Sequence, residues 1–218
     1  GVGKLIVGKD GLMSTPALSA LIRANKALGG IILTASHNPG GIDEDFGIKY
    51  NVGNGGPAPE SVTSEIFRRT QTITSFKIGT NVPTFSLSKC PSKVEIPGAM
   101  VIEIVDPTDG YVNLMKSIFD FDAIKKLLSR KDFSMIFDGL HGVAGPYAQA
   151  IFVDELGVSS SNLSGCVPKA DFGGGHPDPN LTYAPALVSK MGLTKNGTPI
   201  EKKSDDTPSF GAACDGKY

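Results

Sequence analysis

Thr34-Ala35-Ser36-His37-Asn38-Pro39-Gly40-Gly41 is the stretch on which the reading of this chain turns. It follows Gly30-Ile31-Ile32-Leu33, a short apolar run with the character of a buried strand. Asn-Pro-Gly-Gly then forces a sharp turn. A serine is thereby presented just beyond the carboxyl end of a strand, which is where open α/β sheets bind ligands. Glycine lets backbone N–H groups approach a ligand closely, and the neighbouring His37 offers proton transfer or charge neutralisation. Ser36 is the first candidate for chemistry, although a neutral serine needs activation before it reacts.

Working outward, Leu5 to Val7 reads as a strand. Ser14-Thr15-Pro16 reads as a helix start with a hydroxyl cap ahead of proline. Leu18, Leu21, Ile22 and Leu28 give that helix an apolar face, and Gly29-Gly30 ends it. This strand–helix–strand order predicts a right-handed parallel unit. Phe46 to Asn51 reads as a further strand. Residues 59–70 read as a helix with Val62, Ile66 and Phe67 on one side. Residues 74–100, interrupted by Pro83, Pro91 and Pro97, read as an irregular connection between two domains.

A helical stretch then opens at Asp106-Pro107-Thr108, and a second covers Phe121 to Ser129. The strand Phe133 to Phe137 leads into a glycine-rich turn, Gly139 to Gly145, and a helix over 146–156. Residues 195–208 are polar and read as an exposed, partly disordered loop. Phe210-Gly211-Ala212-Ala213-Cys214 reads as a buried strand that delivers Asp215 at its carboxyl end. The expected fold class is α/β: two successive α/β domains with mixed sheets flanked by helices, over residues 1–90 and 91–218.

The 218 residues are 40% hydrophobic and 20% charged, with a formal net charge of −1. That balance suits a soluble protein with a core and offers neither nucleic acid nor a cationic partner a field to bind. No apolar run approaches the ~20 residues of a membrane span. Cys90, Cys166 and Cys214 are odd in number and far apart, which argues against a disulfide framework or zinc site and for a reducing, cytoplasmic setting.

The run from Thr34 to Gly41 resembles the phosphoserine loop of the α-D-phosphohexomutase superfamily. Its flanks, Phe46-Gly47-Ile48-Lys49 and Asn54-Gly55-Gly56-Pro57-Ala58-Pro59-Glu60, resemble the phosphoglucomutase family within it. The resemblance implies that Ser36 carries a phosphoryl group, with about −1.5 to −2 charges at neutral pH. It implies a general-base or proton-shuttle role for Lys49 and a phosphate-contacting role for His37. Asn38 shapes the loop through its turn-forming amide and is a candidate substrate contact. The reaction implied interconverts glucose 1-phosphate and glucose 6-phosphate through glucose 1,6-bisphosphate, with Mg2+ held between the phosphoserine and a loop of three aspartates.

Asp215-Gly216 matches the start of the family's D-G-D-G-D-R metal loop, but Lys217 stands where the second aspartate is expected and Tyr218 follows as the last residue. One carboxylate does not hold magnesium tightly. The chain resembles most of the first two of the family's four domains, both incomplete, so the isolated chain is expected to turn over weakly or not at all. Two alternatives stand beside this reading. One is a non-catalytic relative that acts by binding. The other is a mutase for mannose or N-acetylglucosamine phosphates, which the Gly55 to Glu60 context disfavours. Two further motifs read as structural: His141 in the glycine-rich turn, which lacks the Walker pattern, and Gly173-Gly174-Gly175-His176-Pro177-Asp178-Pro179, where flanking prolines make Asp178 a turn residue.

Overall fold

The computed structural model describes residues 1–201, 204 and 206–216. Lys202, Lys203, Asp205, Lys217 and Tyr218 lie outside the described residues, and with them the expected effect of Lys217 on a metal loop. The chain forms two compact units. The first holds Gly1–Ile32 and Lys49–Gly110; the second holds Leu33–Ile48 and the residues from Tyr111 onward. By contacts, therefore, the serine loop groups with the later part of the chain, and the unit boundary falls between Ile32 and Leu33.

In the first unit, strand β1 (Lys4–Gly8) pairs in parallel with β5 (Met100–Val105), and β4 (Ser92–Ile96) pairs antiparallel on the other side of β5. Ile102 and Ile104 supply its buried apolar positions at alternate sites along β5. Helix α1 (Thr15–Ala24) starts where Ser14 Oγ accepts the N–H of Ala17 at 3.3 Å, with Pro16 in the first turn. Ala17 and Ile22 are its buried residues, and Ile22 packs with Leu18 beneath Gly30 of strand β2 (Gly29–Thr34). Asn51 of β3 (Gly47–Val52) is buried, and its amide donates to the Gly55 carbonyl and the Ser19 hydroxyl.

Four expectations are corrected here. β1 and β2 do not join one parallel unit: β1 lies with β5 and β4, while β2 pairs with β3 in a separate two-stranded sheet. β5 is the same length as β2 but buries Ile102 and Ile104 at alternate positions, whereas Ile31 and Leu33 of β2 stay exposed. Leu28 lies beyond the end of α1 and is 93% exposed, and Gly29-Gly30 opens β2 instead of closing the helix. The 74–100 segment contains β4, a strand whose apolar positions Val94 and Ile96 alternate with Lys93 and Glu95. Helix α2 (Glu60–Thr70) forms as expected, yet Val62, Ile66 and Phe67 remain exposed.

In the second unit, β6 (Met135–Asp138) is buried throughout and flanked in parallel by β7 (Leu163–Ser164) and β8 (Phe210–Ala213). Met135 and Phe137 pack on one face with Ala148 and Val158, and Ile136 packs on the other with Ala184 and Leu187. A strand covered on both faces reads as an apolar run, here Met135-Ile136-Phe137, so the strand starts two residues later than the expected Phe133. Helices α3 (Asp109–Ile118) and α4 (Phe121–Leu128) precede β6. Helix α5 (Ala144–Ala148) continues as a π-helical turn over Gln149–Glu155, and α6 (Pro185–Lys190) packs against β6 and β8. All three strands point the same way, so Asp138, the residues after β7 and Asp215 gather at their carboxyl ends. The described part of 195–208 begins in a turn closed from Thr194, whose hydroxyl lies 2.6 Å from that of Thr198.

Candidate functional site

Ser36 stands two residues past the last residue of β2. Thr34, 5% exposed, turns its Oγ1 to accept the Ser36 N–H at 2.9 Å. Ser36 itself has φ 61, in the left-handed region that non-glycine residues rarely occupy. Strain of this kind concentrates where a side chain must be aimed against the backbone's preference. Ser36 is half-buried and His37 beside it is exposed. Asn38 is occupied as a staple: its Nδ2 donates to Asp45 Oδ2 at 2.7 Å, and its backbone N–H donates to the Ala35 carbonyl.

Asp215 follows β8 in the same unit. Next to it Gly216 is buried, and its N–H donates to the Pro177 carbonyl at 3.1 Å. Phe172 lies between this turn and the serine loop. It is 3% exposed, and its backbone is also left-handed, at φ 51. A Cβ on Gly216 would stand 2.5 Å from Phe172 Cε1, and one on Gly40 would stand 2.8 Å from Cε2. The loop that carries Ser36 and the turn that carries Asp215 therefore rest against two edges of one ring.

Lys49 lies in the first unit, exposed on β3. His141 belongs to a built turn: its Nδ1 lies 3.0 Å from the Val167 carbonyl, and the buried Asp138 accepts the Leu140 N–H at 2.9 Å. Leu140 and His141 are both left-handed, and that carboxylate holds the bend. In the 173–182 stretch, the His176 ring stacks on Tyr183 with centroids 3.9 Å apart, and Asp178 Oδ2 accepts the Asn180 amide. Both side chains serve the turn. The three cysteines are free, and burial raises the thiols of Cys166 and Cys214.

Magnesium takes about six oxygens in near-octahedral array. Asp215 is one carboxylate, and no group of three or more His, Cys, Asp or Glu side chains that could hold a metal occurs among the described residues. The described residues do not fit a complete magnesium site.

Sequence reading missed Thr34 and Phe172. Thr34 opens the serine motif, but only its hydrogen bond to Ser36 reveals its part. Phe172 had one signal, an aromatic residue directly ahead of the glycine run at 173–175, and nothing in sequence ties it to residues 40 and 216.

A family model described as "Phosphoglucomutase/phosphomannomutase, alpha/beta/alpha domain I" matches residues 1–77. Cytoplasmic phosphoglucomutases of Bromus inermis and Mesembryanthemum crystallinum are each 55% identical to the chain over 224 aligned positions, with 99% of the chain covered. The chain spans 38% of the length of these curated relatives. Among solved structures, the open form of the Paramecium exocytosis-sensitive phosphoprotein pp63/parafusin, a phosphoglucomutase, is 44% identical, with a TM-score of 0.86 over 99% of this chain and 39% of its own. A Thermus thermophilus structure, 22% identical with a TM-score of 0.64, shares the fold.

Proposed function

We propose that this chain, which resembles phosphoglucomutase in sequence and fold over 99% of its residues, carries the phosphoryl-transfer serine of a hexose-phosphate mutase. The observation that carries this reading is Ser36 itself: a left-handed serine at the end of a strand, its N–H held by the buried Thr34. In the reaction, phospho-Ser36 meets glucose 1-phosphate or glucose 6-phosphate. The bond between phosphorus and the serine oxygen breaks, a bond to the sugar's free hydroxyl forms, and that hydroxyl's proton passes to a base. The product is glucose 1,6-bisphosphate, and Ser36 then recovers the other phosphate to leave the isomeric monophosphate.

Lys49 is the base in this reading and His37 the neighbouring charge-stabilising group, both assigned from the motifs that hold them. Asn38 keeps the loop in shape through Asp45 and contacts substrate secondarily. Asp215 is one candidate oxygen ligand for Mg2+; the described residues do not complete its shell, and no step is assigned to the metal. In this reading residues 1–90 form the phosphoserine-loop domain and 91–218 the second α/β domain, a division by chain order; by contacts the loop at 33–48 groups with the later unit. The names of the relatives support a cytoplasmic setting.

A binding role without turnover is the second reading. One experiment separates the two. The chain is incubated with glucose 1,6-bisphosphate and Mg2+, and its intact mass and phosphosites are measured. One phosphate on Ser36 upholds the transfer reading; no phosphate on a chain folded by circular dichroism overturns it and leaves the binding role.

A further inference from the structure

Neither Gly40 nor Gly216 has a positive φ, so neither needs to be glycine for its backbone angle. What they share is lack of room. The Phe172 ring lies 2.8 Å from a Cβ at 40 and 2.5 Å from a Cβ at 216, closer than real Cβ contacts come. Two further contacts fix the ring's surroundings: the Ala170 carbonyl stands 2.8 Å from the Cβ position at 40, and Pro177 Cβ stands 2.5 Å from that at 216. Phe172 is 3% exposed in a left-handed backbone, and its N–H donates to the Lys169 carbonyl at 3.1 Å. A close-packed ring with fixed backbone transmits displacement instead of absorbing it.

We propose that Phe172 is a positioning residue: its ring sets the spacing between the Ser36 loop and the Asp215 turn, so that moving either loop moves the other. The chemical consequence rests on Ser36 being the phosphoryl carrier; the mechanical coupling does not. The coupling is reciprocal, as any linkage between two sites must be.

The test is amide hydrogen exchange by mass spectrometry on the 218-residue chain, combined with phosphate uptake from glucose 1,6-bisphosphate. Gly216→Ala is expected to speed exchange in residues 35–41 by about tenfold or more, and Gly40→Ala to do the same in 214–216. Phe172→Leu removes the shared wall. The double variant Gly216→Ala/Phe172→Leu is therefore expected to exchange at 35–41 no faster than Phe172→Leu alone, a non-additivity that independent structural damage does not produce. Exchange at 35–41 in Gly216→Ala within twofold of wild type overturns the proposal. Should Phe172→Leu fail to fold, the two alanine variants still decide it. Two outcomes separate this inference from the reading it deepens. Coupled exchange in a wild type that takes up no phosphate upholds positioning and sinks the transfer reading. Wild-type uptake and wild-type exchange in Gly216→Ala sink positioning alone.

Discussion

The hydroxyl of Thr34 accepts the backbone N–H of Ser36 at 2.9 Å, across the point where β2 gives way to the loop. A buried side chain thus stands in for the next ladder partner, and the chain can reverse into a left-handed residue without orphaning its amide. Removing that acceptor leaves a half-buried N–H unpaired, at a cost of about 1–3 kcal/mol. Thr34→Val, which keeps the shape, is expected to lose that much in urea unfolding and to slow phosphate uptake at Ser36, while Thr34→Ser keeps most of both. Equal midpoints for Thr34→Val and wild type would show that the bond contributes nothing.

Ser36 is strained where it works. Glycine adopts φ near +60° without penalty, whereas an L-residue with a Cβ is disfavoured there by about 1 kcal/mol. Ser36→Gly should therefore raise the thermal midpoint while abolishing phosphate uptake. A lowered midpoint would mean that the serine side chain stabilises the loop by more than its backbone costs.

Asp138 is 6% exposed and accepts the Leu140 N–H at 2.9 Å, holding two consecutive left-handed residues in the turn behind the Asp215 strand. Asp138→Ala is expected to destabilise the chain by about 1–3 kcal/mol. Asp138→Asn, which keeps an acceptor oxygen, should cost less. The comparison is read from denaturant midpoints, and identical losses for the two variants would remove the hydrogen bond as the cause.

Glu65 titrates at about 2, held below its ordinary value of 4.5 by hydrogen bonds from Arg68 and then Arg69. A depressed carboxylate contributes stability above its unfolded pKa and loses it as pH falls through the folded one. The stabilisation of α2 by this cluster is therefore present above about pH 4.5 and disappears towards pH 2. The Glu65 side chain is partly exposed to solvent, so the effect is small and screened by salt. Exchange rates in 60–70 for wild type and Glu65→Gln should differ at about pH 6 and converge near pH 2. A difference that persists at the acid end contradicts the assignment.

The elements were legible wherever local pattern and burial agree. Strand β6 was visible, within two residues, because an interior strand must be apolar on both faces, and the Ser14 cap was visible because cap chemistry is written within a few neighbouring residues. The serine loop was visible for the same reason, since a turn that aims one hydroxyl is specified by adjacent residues. Pairing was another matter. β1 chooses β5, nearly a hundred residues away, over β2, and β4 emerges from a proline-rich stretch, because strand partnership is decided by which apolar faces meet in three dimensions.

By itself, then, the sequence determined the α/β class and the strand that delivers Asp215 through short-range periodicity, and it singled out the serine loop through turn chemistry together with the loop's resemblance to the phosphoserine loop of the phosphohexomutases. Only the tertiary structure decided that Thr34 holds Ser36, that residues 33–48 group with the later unit, and that Phe172 fills the space between Gly40 and Gly216. Those three facts arise from contacts between side chains and from room left by absent ones, and linear order does not encode the distance between residues 40, 172 and 216 until the chain has packed.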